Sequence, residues 1–242
     1  MIEIKEVSKH FSGQRKVINQ LNLSIPDGKI VGFLGPNGAG KSTTIKMMTG
    51  VLPIDEGTIS LDGFDIEKKT LEAKRIFGYV PDRPDLFLRL KGLEYLNFIA
   101  DIYQVPKEVR QERIERITKQ FSIYNSLDDY IQSYSHGMRQ KIIVTGVLLH
   151  DPSIWILDEP LTGLDPKSAY ILKEMMREHA NKGKTVFFSS HGLEVVEQLC
   201  DEVAIINNGE LLFYGTLQDM KETYESDDQS LEQVFLELTS NE

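Results

Sequence analysis

The 242-residue chain has one cysteine, one tryptophan and a deficit of basic side chains, 27 Lys and Arg against 37 Asp and Glu. The lone Cys200 excludes an internal disulfide framework and a cysteine-based zinc site, and is read as a small apolar filler. A net charge of −10 argues against a nucleic-acid partner, whose surface calls for a basic excess, and against direct adhesion to anionic lipid. No apolar run approaches the roughly eighteen residues of a membrane-spanning helix. Met1-Ile2-Glu3-Ile4-Lys5 carries no signal-peptide pattern, so the expected compartment is the cytoplasm, and any membrane role runs through a protein partner. Internal repeats and low-complexity segments are also missing. The length suits one well-buried core with an inserted subdomain better than two small domains.

What the chain does have is a complete G-x-x-x-x-G-K-[ST] run: Gly35-Pro36-Asn37-Gly38-Ala39-Gly40-Lys41-Ser42, led in by apolar Gly32-Phe33-Leu34 and followed by helix-compatible Thr43 to Met48. A backbone curling around an anion needs side chains absent where it approaches closest and where φ turns positive, and three glycines meet that need. This pattern predicts nucleoside triphosphate binding from Gly35 to Thr43. Lys41 would reach the β and γ phosphates, Ser42 would offer its hydroxyl to Mg²⁺, and a helix starting near Lys41 would aim free N–H groups at the phosphates.

Strand-like segments surround this loop: Ile2 to Val7, Val17 to Ile25 ending at Pro26-Asp27-Gly28, Ile30 to Leu34, Thr58 to Leu61 and Ile76 to Val80. From about Leu86 to His150 the periodicity turns helical, with one stripe of Leu93, Leu96, Ile99, Ile102 and Tyr103 and another of Ile114, Ile117 and Phe121. Strands return at Ile154 to Leu157, Thr185 to Ser189 and Val203 to Ile206, between helical stretches at Lys167 to Asn181 and Leu193 to Leu199. Near-continuous apolar strands alternating with helices imply an α/β fold with a mostly parallel sheet covered on both faces. Asn208-Gly209 is a two-residue hairpin signal at its edge.

Two carboxylates, Asp158 and Glu159, stand where the apolar strand Ile154 to Leu157 emerges, at the edge where open α/β sheets bind ligands. Adjacent carboxylates at the end of a buried strand need a partner for their charge, and Mg²⁺ supplies one. Asp158 is the candidate metal ligand, and Glu159 the group that orients the attacking water and accepts its proton. Ser189-Ser190-His191 follows the strand expected beside them, which makes His191 a candidate donor to the γ-phosphate. His10, His136, His150 and His179 show no metal-ligand spacing and read as surface or junction residues. Ser135-His136-Gly137-Met138-Arg139-Gln140 opens a helix, with Ser135 as N-cap and Gly137 leaving the first turn open to an anion.

In this order the motifs resemble the nucleotide-binding subunit of an ABC transporter, over essentially the whole chain. Gly35 to Ser42 is similar to that family's Walker A, Ile154 to Glu159 to its Walker B with the following glutamate, and Thr162-Gly163-Leu164-Asp165 to its D-loop. His191 is similar to the switch histidine and Ser135 to Gln140 to the signature. The resemblance implies one P-loop ATPase domain over 1–242: a core of residues 1–85 and 151–220 with an N-terminal antiparallel β layer, a helical subdomain over 86–150, and a C-terminal helix over 221–242. It also implies ATP and Mg²⁺ as cofactors, and two such chains closing head to tail. In that arrangement Lys41, Ser42 and Asp158 hold ATP from one side, Ser135 and Gly137 of the second nucleotide-binding subunit cover it, and Asp165 belongs to the nucleotide-binding set. Phe11 lies where the family stacks an aromatic on adenine, although a core position would equally suit it.

Two departures stand out. The usual L-S-G-G-Q signature is here Tyr134-Ser135-His136-Gly137-Met138, a change bearing on the rate or tightness of closure more than on geometry. At Tyr79-Val80-Pro81-Asp82 an aspartate replaces the usual glutamine, so Asp82 either touches the metal or serves the contact with the membrane subunit. This acidic feature and Ser230 to Leu238 resemble the exporter branch whose polytopic membrane subunit is a separate polypeptide. Leu231, Val234, Phe235 and Leu238 share a helical face, after the acidic run Glu225 to Asp228, and are expected to dock on their own domain rather than on a partner. Arg110, Arg113 and Arg116 read as a solvated basic stripe. ATP-driven transport, with hydrolysis coupled to that membrane subunit, is the leading functional expectation. A soluble ABC-type ATPase of translation or DNA repair is the alternative, and the single cassette and acidity count against it.

Overall fold

The computed structural model describes residues 1–11, 15–85, 87–224 and 231–240. Leu86, the acidic run Glu225 to Asp228 and Ser230 therefore lie outside the described residues.

Among the described residues the strands form two sheets. The first is antiparallel, ordered β2 (Arg15–Ile25), β1 (Ile2–Phe11), β4 (Glu56–Leu61), β5 (Phe64–Asp65). The second is ordered β10 (Glu210–Gly215), β9 (Glu202–Asn207), β3 (Ile30–Leu34), β8 (Thr185–Ser190), β7 (Ile154–Leu157), β6 (Phe77–Val80). Its pairings are parallel except for the β9–β10 hairpin, which turns at Asn208-Gly209. The expected mixed, mostly parallel sheet with an antiparallel layer is thus present.

Side chains alternate across a strand with period two, and this sheet uses both faces. Val31, Phe33, Ile154, Ile156, Phe187, Ala204 and Ile206 join the core shared with the antiparallel layer, including Ile2, Ile4 and Leu23. Ile30, Leu34, Trp155, Leu157, Val186, Phe188, Val203 and Ile205 join the core on the helical side. Apolar strands without polar alternation are the sequence consequence of that double burial. Gly32 of β3 marks a close approach, because a methyl there would sit 2.8 Å from Cys200 Sγ. Burial pushes the Cys200 thiol up from its ordinary pKa, as expected for an inert filler.

The connections are α1 (Lys41–Met48), α2 (Thr70–Ile76), α3 (Gly92–Ile102), α4 (Lys107–Gln120), α5 (His136–Leu148), α6 (Pro166–Asn181), α7 (Leu193–Leu199) and α8 (Leu217–Thr223), with α9 (Leu231–Ser240) at the end. In α3 the buried face is Tyr95, Leu96 and Ala100, joined by partly buried Ile99 and Tyr103. Leu93 and Ile102 of the expected stripe fall on the other side and are exposed, because the face follows i, i+3, i+4 from Gly92 rather than from Leu93. Ile114, Ile117 and Phe121 are buried as expected, and Val234, Phe235 and Leu238 of α9 dock on the chain's own core.

Two readings are corrected, the stripe at Arg110 and Arg113 and the placement of His179, whereas His150 lies at the α5–β7 junction as expected. Arg110 and Arg113 are not a solvated stripe. Arg110 reaches Asp101 at 2.6 Å, Asn97 at 3.3 Å and the Val105 carbonyl at 3.2 Å, and Arg113 donates to the Leu149 carbonyl at 2.5 Å, so both staple helix ends. His179 is buried and stacks on Trp155 with centroids 4.1 Å apart. His150 stacks on Tyr103 at 3.7 Å with Nε2 3.3 Å from the Phe77 carbonyl oxygen. Both imidazoles are packing elements, and burial drives their pKa down, to about 4 for His150 and about 3 for His179.

Candidate functional site

Register brings the loop at residues 35–43, Asp82, Asp158, Glu159 and His191 to one edge. In the parallel pairings Val80 lies opposite Leu157, Leu157 opposite Phe188, and Leu34 opposite Ser190, so the loops after β6, β7, β8 and β3 leave the sheet together at its carboxyl end. Those loops bring Asp82, Glu159, His191, residues 36–38 and residues 40–43 around one cavity of about 590 Å³.

The loop between β3 and α1 is a cradle by necessity. Gly38 and Gly40 have φ of 85° and 113°, in the left-handed region that L side chains rarely adopt. Gly40 starts α1 with no side-chain cap, which leaves the first N–H groups of the helix available to an anion. A methyl at Gly35 would overlap the Ile206 carbonyl oxygen, so the loop's entry is pressed against β9. Gly209 at the β9–β10 turn donates to the Ala39 carbonyl at 3.0 Å, and its own carbonyl accepts from Asn19 of β2 at 2.9 Å. The edge hairpin thereby buttresses the cradle, and Asn208, Lys16 and Val17 join the cavity wall. Short-range pattern gave no signal for these three, since hairpin and β2 meet the loop only in the fold.

Lys41, 8% exposed, donates to the carbonyls of Gly35 at 2.7 Å and Pro36 at 3.3 Å. Burial lowers its amine pKa, while Glu159 and Asp158 act in the opposite sense. Asp158 is 1% exposed and accepts from Ser42 Oγ at 3.2 Å and from Ser189 Oγ at 2.7 Å. Ser189 also accepts from the Glu159 backbone N–H at 2.9 Å, so this buried hydroxyl, noted in the sequence only as a neighbour of His191, ties both acidic residues together. Glu159 has φ of 49°, a conformation a non-glycine residue holds only under constraint, and Ser189 supplies part of it. His191 Nδ1 stands 2.9 Å from Glu159 Oε2; an ionised carboxylate only accepts, so Nδ1–H is the donor. Burial pushes the Tyr79 phenol up to about 12, with Asp158 and Asp82 adding to the rise.

Ser42 Oγ and Asp158 form a small set of hard oxygen ligands, and Asp82 lines the same cavity. Among the described residues no cluster of three or more His, Cys, Asp or Glu could hold a metal unaided. The donor set fits a cation that takes one or two protein oxygens and the rest from phosphate and water, as Mg²⁺ does.

Other candidates lie elsewhere in the chain. Phe11 ends β1 and is 46% exposed, which excludes the core reading, but it does not line the cavity. Ser135 caps α5 through Met138 N–H at 3.3 Å, away from the cavity with Gly137. Asp165 caps α6, accepting from Ser168 N–H at 3.0 Å and Ser168 Oγ at 2.6 Å, and pairs with Lys141 at 2.9 Å; its carboxylate is committed to that corner and does not reach the cavity.

The ABC transporter family model matches residues 18–162. The chain belongs to the ABC transporter family. It is 35% identical over 240 residues, 98% of this chain and 97% of the relative, to the ABC transporter ATP-binding protein NatA of Bacillus subtilis (strain 168). It is 34% identical over 220 residues, 91% of this chain and 70% of the relative, to the linearmycin resistance ATP-binding protein LnrL of the same organism. A solved ATP-binding subunit of an ABC transporter superposes with a TM-score of 0.94 at 32% identity, covering 98% of this chain and 99% of that one. This ABC chain is accordingly an ATP-binding subunit with an ABC ATPase fold, and among its described residues no helix is long and apolar enough to cross a membrane.

Proposed function

We propose that the chain binds and hydrolyses ATP with Mg²⁺ at this cavity and thereby powers export through a separate polytopic membrane subunit, working as a head-to-tail pair with a second nucleotide-binding subunit at the cytoplasmic face of the membrane. The observation that carries this reading is the convergence of Lys41, Ser42 and the Glu159–His191 pair on one cavity, with buried Asp158 hydrogen-bonded behind Ser42.

Lys41 and the α1 N-terminus hold the phosphate chain, Ser42 and Asp158 would hold the metal, and Gly35, Gly38 and Gly40 leave room for the backbone to close on the phosphates. Bound Mg²⁺ would neutralise charge on the phosphates. Glu159 takes the proton of the attacking water, and His191, donating from Nδ1 to Glu159, keeps that carboxylate aimed. Donation from the other nitrogen to a γ-phosphate requires the imidazolium form, because neutral imidazole has a single N–H. Ser135 and Gly137 would complete the site of the second subunit. The resistance named for LnrL supports outward movement, as do Asp82 and the α9 segment. NatA and the solved ATP-binding subunit are both named for an ABC transporter, so translation or repair has no comparable support.

The test is Glu159→Gln in the purified complex. Losing a general base lowers turnover by roughly 10²- to 10⁴-fold. ATP binding and an ATP-dependent dimer in light scattering should persist. Unchanged turnover refutes Glu159 as the base.

A further inference from the structure

The start of α5 is interlocked, within one chain, with the loop that follows Glu159. Gly163 has φ of 78°, and a methyl built on it would overlap His136 Cδ2 and lie 2.8 Å from His136 Nε2. Reciprocally, a methyl on Gly137 would lie 2.8 Å from the Gly163 carbonyl oxygen. Further along the helix, buried Gln140 donates from Nε2 to the Pro160 carbonyl at 3.2 Å, and Lys141 Nζ pairs with Asp165 Oδ2 at 2.9 Å. Positions 136, 137, 140 and 141 follow helical spacing, so one face of α5 grips residues 160–165. On its other side Arg139 holds Asp85 at 2.6 Å and the Gln132 carbonyl at 2.8 Å. The helix is therefore tethered to both loops that bring carboxylates to the cavity, one carrying Asp82 and the other Glu159.

A signature with glycine at position 136 has no ring to place against Gly163. We propose that His136 is a positioning residue: its imidazole, wedged on Gly163, fixes residues 160–165 and through them the carboxylate of Glu159. The lever is short. Thr162 N–H donates to the Glu159 carbonyl at 3.1 Å, and Glu159 is already in a left-handed conformation that its surroundings must hold. A shift of the loop therefore turns the Glu159 side chain before it disturbs the phosphate cradle, which belongs to another segment. This inference rests on Glu159 being the base, and it predicts an effect on kcat and not on KM for ATP.

A mutant cycle tests it, with wild type, His136→Gly, Gly163→Ala and the double variant read by ATPase kinetics and by nucleotide-free thermal unfolding. Gly163→Ala drives a methyl into the imidazole and should lower both kcat and Tm. In the double variant the ring is gone and the methyl has room, so kcat should recover by roughly threefold or more over Gly163→Ala, with part of the lost Tm regained. His136→Phe, which keeps a flat ring, should hold kcat within about twofold of wild type, whereas His136→Gly should lose more, at unchanged KM. Additive losses in the cycle, or equal losses for His136→Phe and His136→Gly, overturn the proposal. The thermal arm needs no hydrolysis. A wild type that neither binds nor splits ATP sinks the functional reading alone, whereas additive Tm losses beside normal wild-type turnover sink the positioning role alone.

Discussion

Ser189 Oγ donates to Asp158 Oδ1 at 2.7 Å, from one parallel strand to the end of the next. The same oxygen accepts the Glu159 backbone N–H, so removing it leaves that N–H without its acceptor and Asp158 Oδ1 with only the longer bond from Ser42. Unsatisfied buried groups cost about 1–3 kcal/mol. Ser189→Ala should therefore lower Tm by about 2–4 °C per kcal/mol in a chain of this size. It should also loosen Glu159 and lower kcat by roughly tenfold, the rate equivalent of about 1.4 kcal/mol. Calorimetry with steady-state ATPase measurements checks both, and a variant with wild-type Tm and kcat would show that the bridge contributes nothing.

The glycines of the cradle are not equivalent. A methyl on Gly38 meets nothing within 4 Å, so Gly38→Ala pays only for positive φ, about 1 kcal/mol. A methyl on Gly35 overlaps the Ile206 carbonyl oxygen, a backbone atom of β9 that moves only with its strand. Gly35→Ala should thus lower Tm by several degrees more than Gly38→Ala, at about 2–4 °C per kcal/mol, and weaken nucleotide binding in proportion. Nucleotide titration and thermal melts on the two variants decide it. Equal melting temperatures would contradict the contact between loop and strand.

Much of this was legible in the sequence because the signals were local. The apolar run Ile154 to Leu157 and the segment Leu193 to Leu199 read with their observed bounds, since burial on both faces of a sheet or a short amphipathic turn leaves a short-range pattern. The run at residues 76–80 read as strand to Ile76, which instead ends α2, because an apolar residue suits either element at a boundary. The misread residues are those whose role depends on distant partners. Arg113 faces Leu149 and His179 faces Trp155, contacts that no periodicity encodes. The candidate site followed the same division. The cradle and the carboxylate pair stood in contiguous motifs, while Ser189, Lys16 and Asn208 acquire their places only through strand order and hairpin docking.

The two buried histidines make stability depend on pH in a separable window. Burial holds His179 and His150 neutral in the folded chain down to about 3 and about 4, whereas in the unfolded chain each takes up a proton below about 6.5. Their contribution is level above 6.5. As pH falls below 6.5 the unfolded state binds protons that the folded state refuses, so stability drops until the folded pKa values are reached. At pH 5 the two sites together remove roughly 4 kcal/mol, a large part of the 5–15 kcal/mol typical of a folded domain. The carboxylates held below their usual range, such as Asp55, Asp65 and Asp219, lose their contribution only as pH falls through 3.8 and lower, so they leave this window clear. Trp155, the sole tryptophan, stacks on His179, and its emission reports urea unfolding at that point. The unfolding free energy should fall between pH 7.5 and 5, and the His150→Phe/His179→Phe variant, which keeps both ring stacks, should lose most of that slope. A slope that survives both substitutions would mean that other groups carry the acid sensitivity.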